Sequence, residues 1–256
     1  MLPLNGTYFA NASLAEPMSC IIGAFHSSYH TKQYVYKHDM GIKEGGKVAL
    51  LGGAGPMGLG AIEYAINGSI KPRLVVVVDI DDVRLNRAAS LIKVEDAREK
   101  GVELIYLNTK DIDAVSKLME LSGGKGYDDA FVFAAGNQLI ENDDDILCND
   151  GCLNFFAGPT NSKFKVSFNF YKVHYEGTHI GGLNAAPETI KNLPNIPGGK
   201  KLIYPHIELE LTAIEDFKKL GENNEFYKRL SEICKRNNNV WCEEAEKFLL
   251  ETFKNK

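Results

Sequence analysis

Between Val48 and Gly58 the chain reads Val-Ala-Leu-Leu-Gly-Gly-Ala-Gly-Pro-Met-Gly, an apolar run that breaks into Gly53, Gly55 and Gly58 before helix-compatible sequence begins. Few folds accommodate that succession. A short apolar run bounded by glycines is the pattern of a buried strand, and glycines spaced G-x-G-x-x-G at its end are the fingerprint of a strand–turn–helix that cradles a dinucleotide. A second apolar strand, Leu74 to Val78, closes on Asp79, about 20 residues past the last glycine, where the fingerprint calls for an acid. Each position then has a task. Gly53 lets the chain turn out of the strand, Gly55 has no Cβ to hold off a pyrophosphate, and Gly58 lets the helix approach the sheet. Pro56 suits a helix start, and the helix from about Met57 to Ala65 aims its N–H groups and positive dipole end at the phosphates. Asp79 would accept hydrogen bonds from both adenosine ribose hydroxyls and repel a 2′-phosphate, which favours NAD over NADP. The competing reading is a glycine-rich turn in another α/β protein, such as a methyltransferase that holds its own nucleoside this way.

Apolar runs and helical stretches go on alternating. A helix is expected around Asp82 to Lys93, a strand at Glu103 to Leu107, and a helix over Lys110 to Leu121 with Ile112, Val115, Leu118 and Met119 on one side. A continuous strand follows at Ala130 to Ala134. The next helix, Gln138 to Leu147, should stop before Asn149-Asp150-Gly151, ahead of a strand at Leu153 to Ala157 closed by Gly158-Pro159. A last strand, Thr178 to Ile180, ends at Gly181-Gly182. Uniformly apolar strands belong in parallel sheets covered on both faces, so the pattern predicts an α/β fold: a doubly wound, six-stranded parallel Rossmann sheet. Ligands of such sheets bind beyond the carboxyl ends of the strands. Ala135 and Gly136 are therefore candidates for the ribose side, and Ala157, Gly158 and Gly181 for the nicotinamide side; each also reads as an ordinary strand-ending turn.

Beyond Ala186 the pattern changes. Leu193 to Gly199 is rich in breakers, Leu202 to Leu211 alternates like a strand, and helices are expected at Ala213 to Leu220, Glu225 to Lys235 and Val240 to Thr252. The C-terminal segment is thus mostly helical, with His206 and Trp241 read as packing residues.

Composition removes whole classes of function. A net charge of -5 over 256 residues leaves no basic face for nucleic acid or an anionic membrane. The N-terminal residues lack the pattern of a signal peptide, and no apolar run reaches membrane-spanning length, so a cytoplasmic location is expected. Five scattered cysteines read as reduced thiols. Cys148 and Cys152 have a spacing that could hold a metal, but no second pair lies nearby, and burial beside a strand is the plainer reading. The run Asp143-Asp144-Asp145 is read as a solvated face early in a helix, near its positive dipole end, rather than a cation site. Tyr106 and Lys110 form Y-x-x-x-K at the end of the third strand, the wrong place for a short-chain reductase pair. His26, His30, His174 and His179 lack the spacing of a zinc site and read as structural.

Ser13-Leu-Ala-Glu16-Pro17-Met-Ser-Cys20, the glycine turn, Asp79 and Asn154-Phe-Phe-Ala-Gly158 together resemble the zinc-type medium-chain alcohol and polyol dehydrogenases. Phe155-Phe156-Ala157-Gly158, followed by His174-Tyr175-Glu176-Gly177-Thr178-His179, is similar to the L-sorbose-1-phosphate reductase group within that family. The resemblance implies an NAD-dependent oxidoreductase acting on a polyol or sugar phosphate, with zinc polarising the carbonyl. It also implies a GroES-like domain, with its Cys and His-Glu ligands, ahead of the first residue of this chain. Residues 1–20 then read as the remnant of that domain and its connection, 21–185 as the dinucleotide-binding domain, and 186–256 as the C-terminal part of the catalytic domain. Only Glu16 falls at a family metal-site position; its other reading is a charge at the start of a helix. Zinc would be held only if the GroES-like domain were supplied, for instance by a separate chain. A homodimer is a further implication, and a catalytically inactive NAD-binding module or a truncated fragment is the competing reading.

Overall fold

The computed structural model describes residues 13–32, 34–35, 37–182, 209 and 212–253. They fall into two compact units, residues 17–195 and residues 1–16 with 196–256, each taken by itself below.

The larger unit is built on six parallel strands: β3 (Lys47–Leu51), β4 (Leu74–Asp79), β5 (Glu103–Asn108), β6 (Tyr127–Val132), β7 (Leu147–Phe155) and β8 (His179–Gly182). Their spatial order is β5-β4-β3-β6-β7-β8. The chain winds outward from β3 in one direction, then crosses back and winds in the other, which is the doubly wound Rossmann arrangement expected from the apolar runs. Helix α1 (Ala15–Ser27) leads into a small antiparallel pair, β1 (Tyr29–Thr31) and β2 (His38–Met40). The connections carry α2 (Pro56–Asn67), α3 (Asp82–Leu91), α4 (Val94–Glu99), α5 (Ala114–Leu121) and α6 (Asn137–Ile146).

Alternation along the strands divides the core in two. Val48 and Leu50 of β3, Val75 and Val77 of β4, and Phe131 face α1 and α2, where Ile21, Phe25 and Ile62 fill the layer. Phe25 stacks on Phe131 at 4.4 Å between ring centroids and meets Tyr64 edge-on at 5.2 Å. Ala49, Leu51, Val76, Val78, Ala130 and Leu153 face the other way, onto Leu118 of α5 and Ile140 and Ile146 of α6. Burying each large apolar side chain fully contributes about 1.5–3 kcal/mol, so both faces of the sheet are covered for a clear physical reason.

Several sequence expectations shift. β6 begins at Tyr127 rather than Ala130 and ends at Val132 rather than Ala134, because Asp128 and Asp129 are buried with partners of their own. Asn149-Asp150-Gly151 does not separate a helix from a strand. These residues lie inside β7, which starts at Leu147 and ends at Phe155, before Ala157; pairing with β6 jumps from Tyr127↔Leu147 to Asp129↔Cys152, and Asp150 takes φ 61°. β8 includes Gly181 and Gly182 instead of ending before them. The helix expected from Lys110 starts only at Ala114, because the Asp113 carboxylate caps it by accepting from Ser116 N–H. The helix expected to reach Lys93 stops at Leu91, and α4 follows as a separate short helix.

The acidic run is also corrected: it occupies the last turns of α6, not the first, and it is not simply a solvated face. Asp144 is buried and accepts from the Asn169 N–H, while Lys172 Nζ donates to the carbonyls of Asp144 and Asp145, supplying positive charge at the helix's negative end.

In the smaller unit, a 3₁₀ turn (Ile214–Asp216) leads to α7 (Phe217–Leu220), α8 (Glu225–Arg236) and α9 (Glu243–Phe253). Phe217, Leu230, Ile233, Cys234 and Ala245 form its core, and Trp241 packs against it as expected. The breaker-rich stretch from Leu193, the alternation from Leu202 and His206 lie outside the described residues, apart from Leu209.

Candidate functional site

The carboxyl ends of β3, β4, β6, β7 and β8 line up along one edge of the sheet through the pairs Leu51↔Val78, Leu51↔Val132, Val132↔Phe155 and Phe155↔Gly182. The ladder runs slightly past the strands, with Phe133 N–H donating to Leu51 O and Ala157 N–H to Val132 O. Gly53, Asp79, Ala135, Gly136, Ala157, Gly158 and Gly181, scattered through the sequence, are therefore brought to this one edge. Gly181 pairs with Asn154, inside β8 rather than beyond its end.

The turn after β3 shows what each glycine does. Gly52, which sequence reasoning passed over, takes the left-handed conformation at φ 66°, and a Cβ there would lie 2.9 Å from the Cβ of Ala134. Gly53 is not the left-handed residue; it is required because a Cβ would sit 2.6 Å from Leu50 O. A Cβ on Gly58 would collide with the backbone of Gly53, so this glycine lets α2 fold back tightly on the turn itself. Gly55 is different: a Cβ there would meet nothing within 4 Å. No packing among the described residues requires glycine at that position. The open space lies at the start of α2, whose N-cap is Gly55 with no side-chain cap and whose first residue is Pro56. Leu59 N–H makes the first bond of the helix ladder, to Gly55 O, so the N–H groups of Met57 and Gly58 precede it. Free N–H groups and the positive end of the helix dipole suit an anion.

Asp79 closes β4 beside this turn. Its Oδ2 accepts from Ala54 N–H at 3.3 Å, and its Oδ1 from Ile80 N–H at 2.8 Å and Asp81 N–H at 3.2 Å. The carboxylate is thus fixed by backbone donors from both the glycine turn and its own strand end.

Other candidates resolve differently. The Tyr106 hydroxyl donates to Ile92 O at 2.8 Å, and burial raises its pKa, so it braces α3 and is not paired with Lys110. Burial pushes the Cys148 thiol up to about 12 and the Cys152 thiol up to about 11, and both remain free thiols. Glu16 is exposed in the first turn of α1. Among the described residues, no group of three or more His, Cys, Asp or Glu side chains is placed to hold a metal ion.

No family model matches the chain. Against individual proteins it is 55% identical to mannitol-1-phosphate 5-dehydrogenase of Aliivibrio fischeri, over 99% of this chain and 68% of that protein. It is 38% identical to L-sorbose 1-phosphate reductase of Klebsiella pneumoniae, over 98% and 66%. The chain thus spans about two thirds of the length of these relatives. The first match runs over 286 positions, more than the 256 residues present, so that relative also carries residues within the matched span that this chain lacks. Among solved structures, 2R,3R-butanediol dehydrogenase from Bacillus subtilis superposes with a TM-score of 0.51 at 20% identity, covering 71% of this chain and 44% of that one, a likeness of fold. With the Rossmann sheet, its glycine turn and these identities together, the chain belongs to the zinc-type alcohol and polyol dehydrogenase family, in the branch of the mannitol- and sorbose-phosphate enzymes.

Proposed function

We propose that this chain is the cofactor-carrying part of an NAD(H)-dependent oxidoreductase that moves a hydride between nicotinamide and a secondary alcohol or ketone of a polyol or sugar phosphate. One observation carries the reading: the open space over Gly55, at an uncapped helix start beside Asp79. A pyrophosphate placed there would accept from the N–H groups of Met57 and Gly58, with Gly53 and Pro56 shaping the turn. The Asp79 carboxylate would bind the ribose hydroxyls and disfavour a 2′-phosphate, hence NAD. Ala135 and Gly136 would flank the ribose, and Ala157, Gly158 and Gly181 the nicotinamide. The cofactor supplies the hydride chemistry; the chain orients it and holds its charge.

The described residues do not fit a resident zinc. Catalytic zinc takes three protein ligands, and Glu16 offers one carboxylate. A second reading is a module that binds NAD without turnover of its own, or one that works with a GroES-like domain supplied elsewhere. We further propose a homodimer located in the cytoplasm; no helix among the described residues is long and apolar enough to cross a membrane.

Calorimetry with NADH tests the leading reading, and undetectable binding to the unaltered chain sinks it. Mannitol 1-phosphate and sorbose 1-phosphate oxidoreduction assays separate the two functions, since NADH binding without turnover of either compound supports the module.

A further inference from the structure

Opposite the glycine turn, at the amino ends of β6, β7 and β8, lies a group of titratable side chains that the cofactor does not use. His30 of β1 is 7% exposed. Its Nε2 lies 3.2 Å from both carboxylate oxygens of Asp129, which is fully buried, and its Nδ1 lies 3.0 Å from the Asp150 carbonyl oxygen. Both ring nitrogens therefore face acceptors. A neutral imidazole has one donor and one acceptor, so beside an ionised Asp129 either tautomer would set a ring lone pair against an oxygen lone pair; only imidazolium donates to both. Burial raises the Asp129 pKa, and the bonds from His30 and from Lys43 N–H, which donates to Oδ2 at 2.9 Å, oppose that rise and favour the ionised carboxylate.

The surroundings are consistent with a cation. Asp150 accepts on its carboxylate from Thr31 N–H at 2.9 and 3.0 Å and from His179 Nε2 at 2.8 Å, and its Oδ2 lies 3.8 Å from His30 Nδ1. From β2, Asp39 pairs with His30 in the ladder, and the His38 ring lies 4.6 Å from that of Tyr29 and 6.3 Å from that of His179. From the segment before β3, the Lys43 ammonium is paired with Asp128 at 2.7 Å. The Cys152 thiol and the Tyr29 hydroxyl have raised pKa values, chiefly from burial, and stay neutral near pH 7. Burial alone would lower the His30 pKa; its hydrogen bond to Asp129 and the Asp129 charge, with the Asp150 carbonyl and carboxylate, outweigh that and raise it.

We infer that His30 is a proton-operated latch: a buried imidazolium that ties the β1–β2 hairpin to the amino ends of β6 and β7 and lets it go when the proton leaves. The Thr31 N–H, bound to the Asp150 carboxylate, reports the closed state.

The test is a titration of the unaltered, ¹⁵N-labelled full chain. Side-chain NMR should show both His30 ring nitrogens protonated at pH 6.5, with the transition above the ordinary histidine value of about 6.5. Exchange of the Thr31 amide, corrected for its intrinsic pH dependence, should accelerate about tenfold for each unit by which the latched pKa exceeds the released one. A neutral His30 ring at pH 6.5, including one with the proton resting on Asp129, overturns the latch. So does Thr31 protection that stays flat across the His30 transition. Asp129→Asn should return the His30 transition to or below the ordinary value, but the titration of the unaltered chain decides the matter even if that variant does not fold.

Discussion

Replacing Gly55 by valine separates binding from folding more cleanly than any other change in the glycine turn. Gly55 has φ -81° and ψ 176°, an extended conformation open to every residue, and a Cβ there would meet nothing within 4 Å. Two small terms oppose each other. Valine is a poorer N-cap than glycine, at a cost of about 0.5–1 kcal/mol, and removing a glycine from the unfolded chain returns about 0.4–1 kcal/mol. The net change in stability should stay within about 1 kcal/mol, or about 2–4 °C in Tm for a domain of this size. Binding should behave differently, because the branched side chain occupies the space where a pyrophosphate would reach the N–H groups of Met57 and Gly58. Two hydrogen bonds to a charged group, each worth about 1.5–3 kcal/mol, amount to at least about 3 kcal/mol. That corresponds to a loss of more than about 100-fold in NADH affinity. Calorimetry and a thermal melt on the same sample measure both quantities. Unchanged NADH affinity in Gly55→Val would refute the placement of the pyrophosphate, and a collapse in Tm would refute the claim that position 55 is free of packing.

Gly58→Ala should do the reverse of Gly55→Val in the melt, lowering Tm clearly because its Cβ runs into the backbone of Gly53; a melt matching the parent would contradict the packing of α2 on the turn. Asp79→Asn keeps an acceptor for the neighbouring N–H groups but loses the charge, so the preference for NADH over NADPH should fall by about tenfold or more in competitive binding. Phe131→Ala removes the ring stacked on Phe25 and should cost about 3–5 kcal/mol in urea unfolding; less than 1 kcal/mol would mean that this layer of the core is looser than its burial implies. For His30 the folded pKa is raised, so its contribution is fully present below the unfolded value of about 6.5 and is lost as pH rises through the folded pKa. Urea stability should accordingly fall between neutral and mildly alkaline pH in the parent and change less in His30→Gln.

Much of the sheet edge that carries the glycine turn was legible because its signals are local. A glycine spacing, an apolar run and an acid at a fixed distance are all read along the chain, and β3, α2 and β4 came out close to their observed bounds. What escaped was set by partners far away in sequence. Asp128 and Asp129 fell outside the strand expected from Ala130, yet Lys43, Lys47 and His30 meet them across 81 to 99 residues and draw them into the start of β6. Asp150 read as a turn, yet its left-handed backbone is held inside β7 by Thr31 and His179. The role of Gly52 was hidden because the fingerprint begins one residue later, although three glycines within four positions hint at more than one constraint. Alternation alone also could not place the N-terminal boundary of α5, which a single capping carboxylate decides.

The grip of Asp128 and Asp129 on the entry to β3 has a consequence in time. Lys43 N–H, Lys43 Nζ and Lys47 N–H, all at the threshold of the first strand of the six-stranded sheet, are held by two carboxylates that leave the ribosome more than 80 residues later. Until then β3 has neither its central neighbour nor the anchor that fixes where it starts. Contacts of such long sequence separation are slow to close. The first strand of the six-stranded sheet to be synthesised is therefore among the last to be secured, and the glycine turn at its far end takes its final shape only when the middle of the chain has arrived.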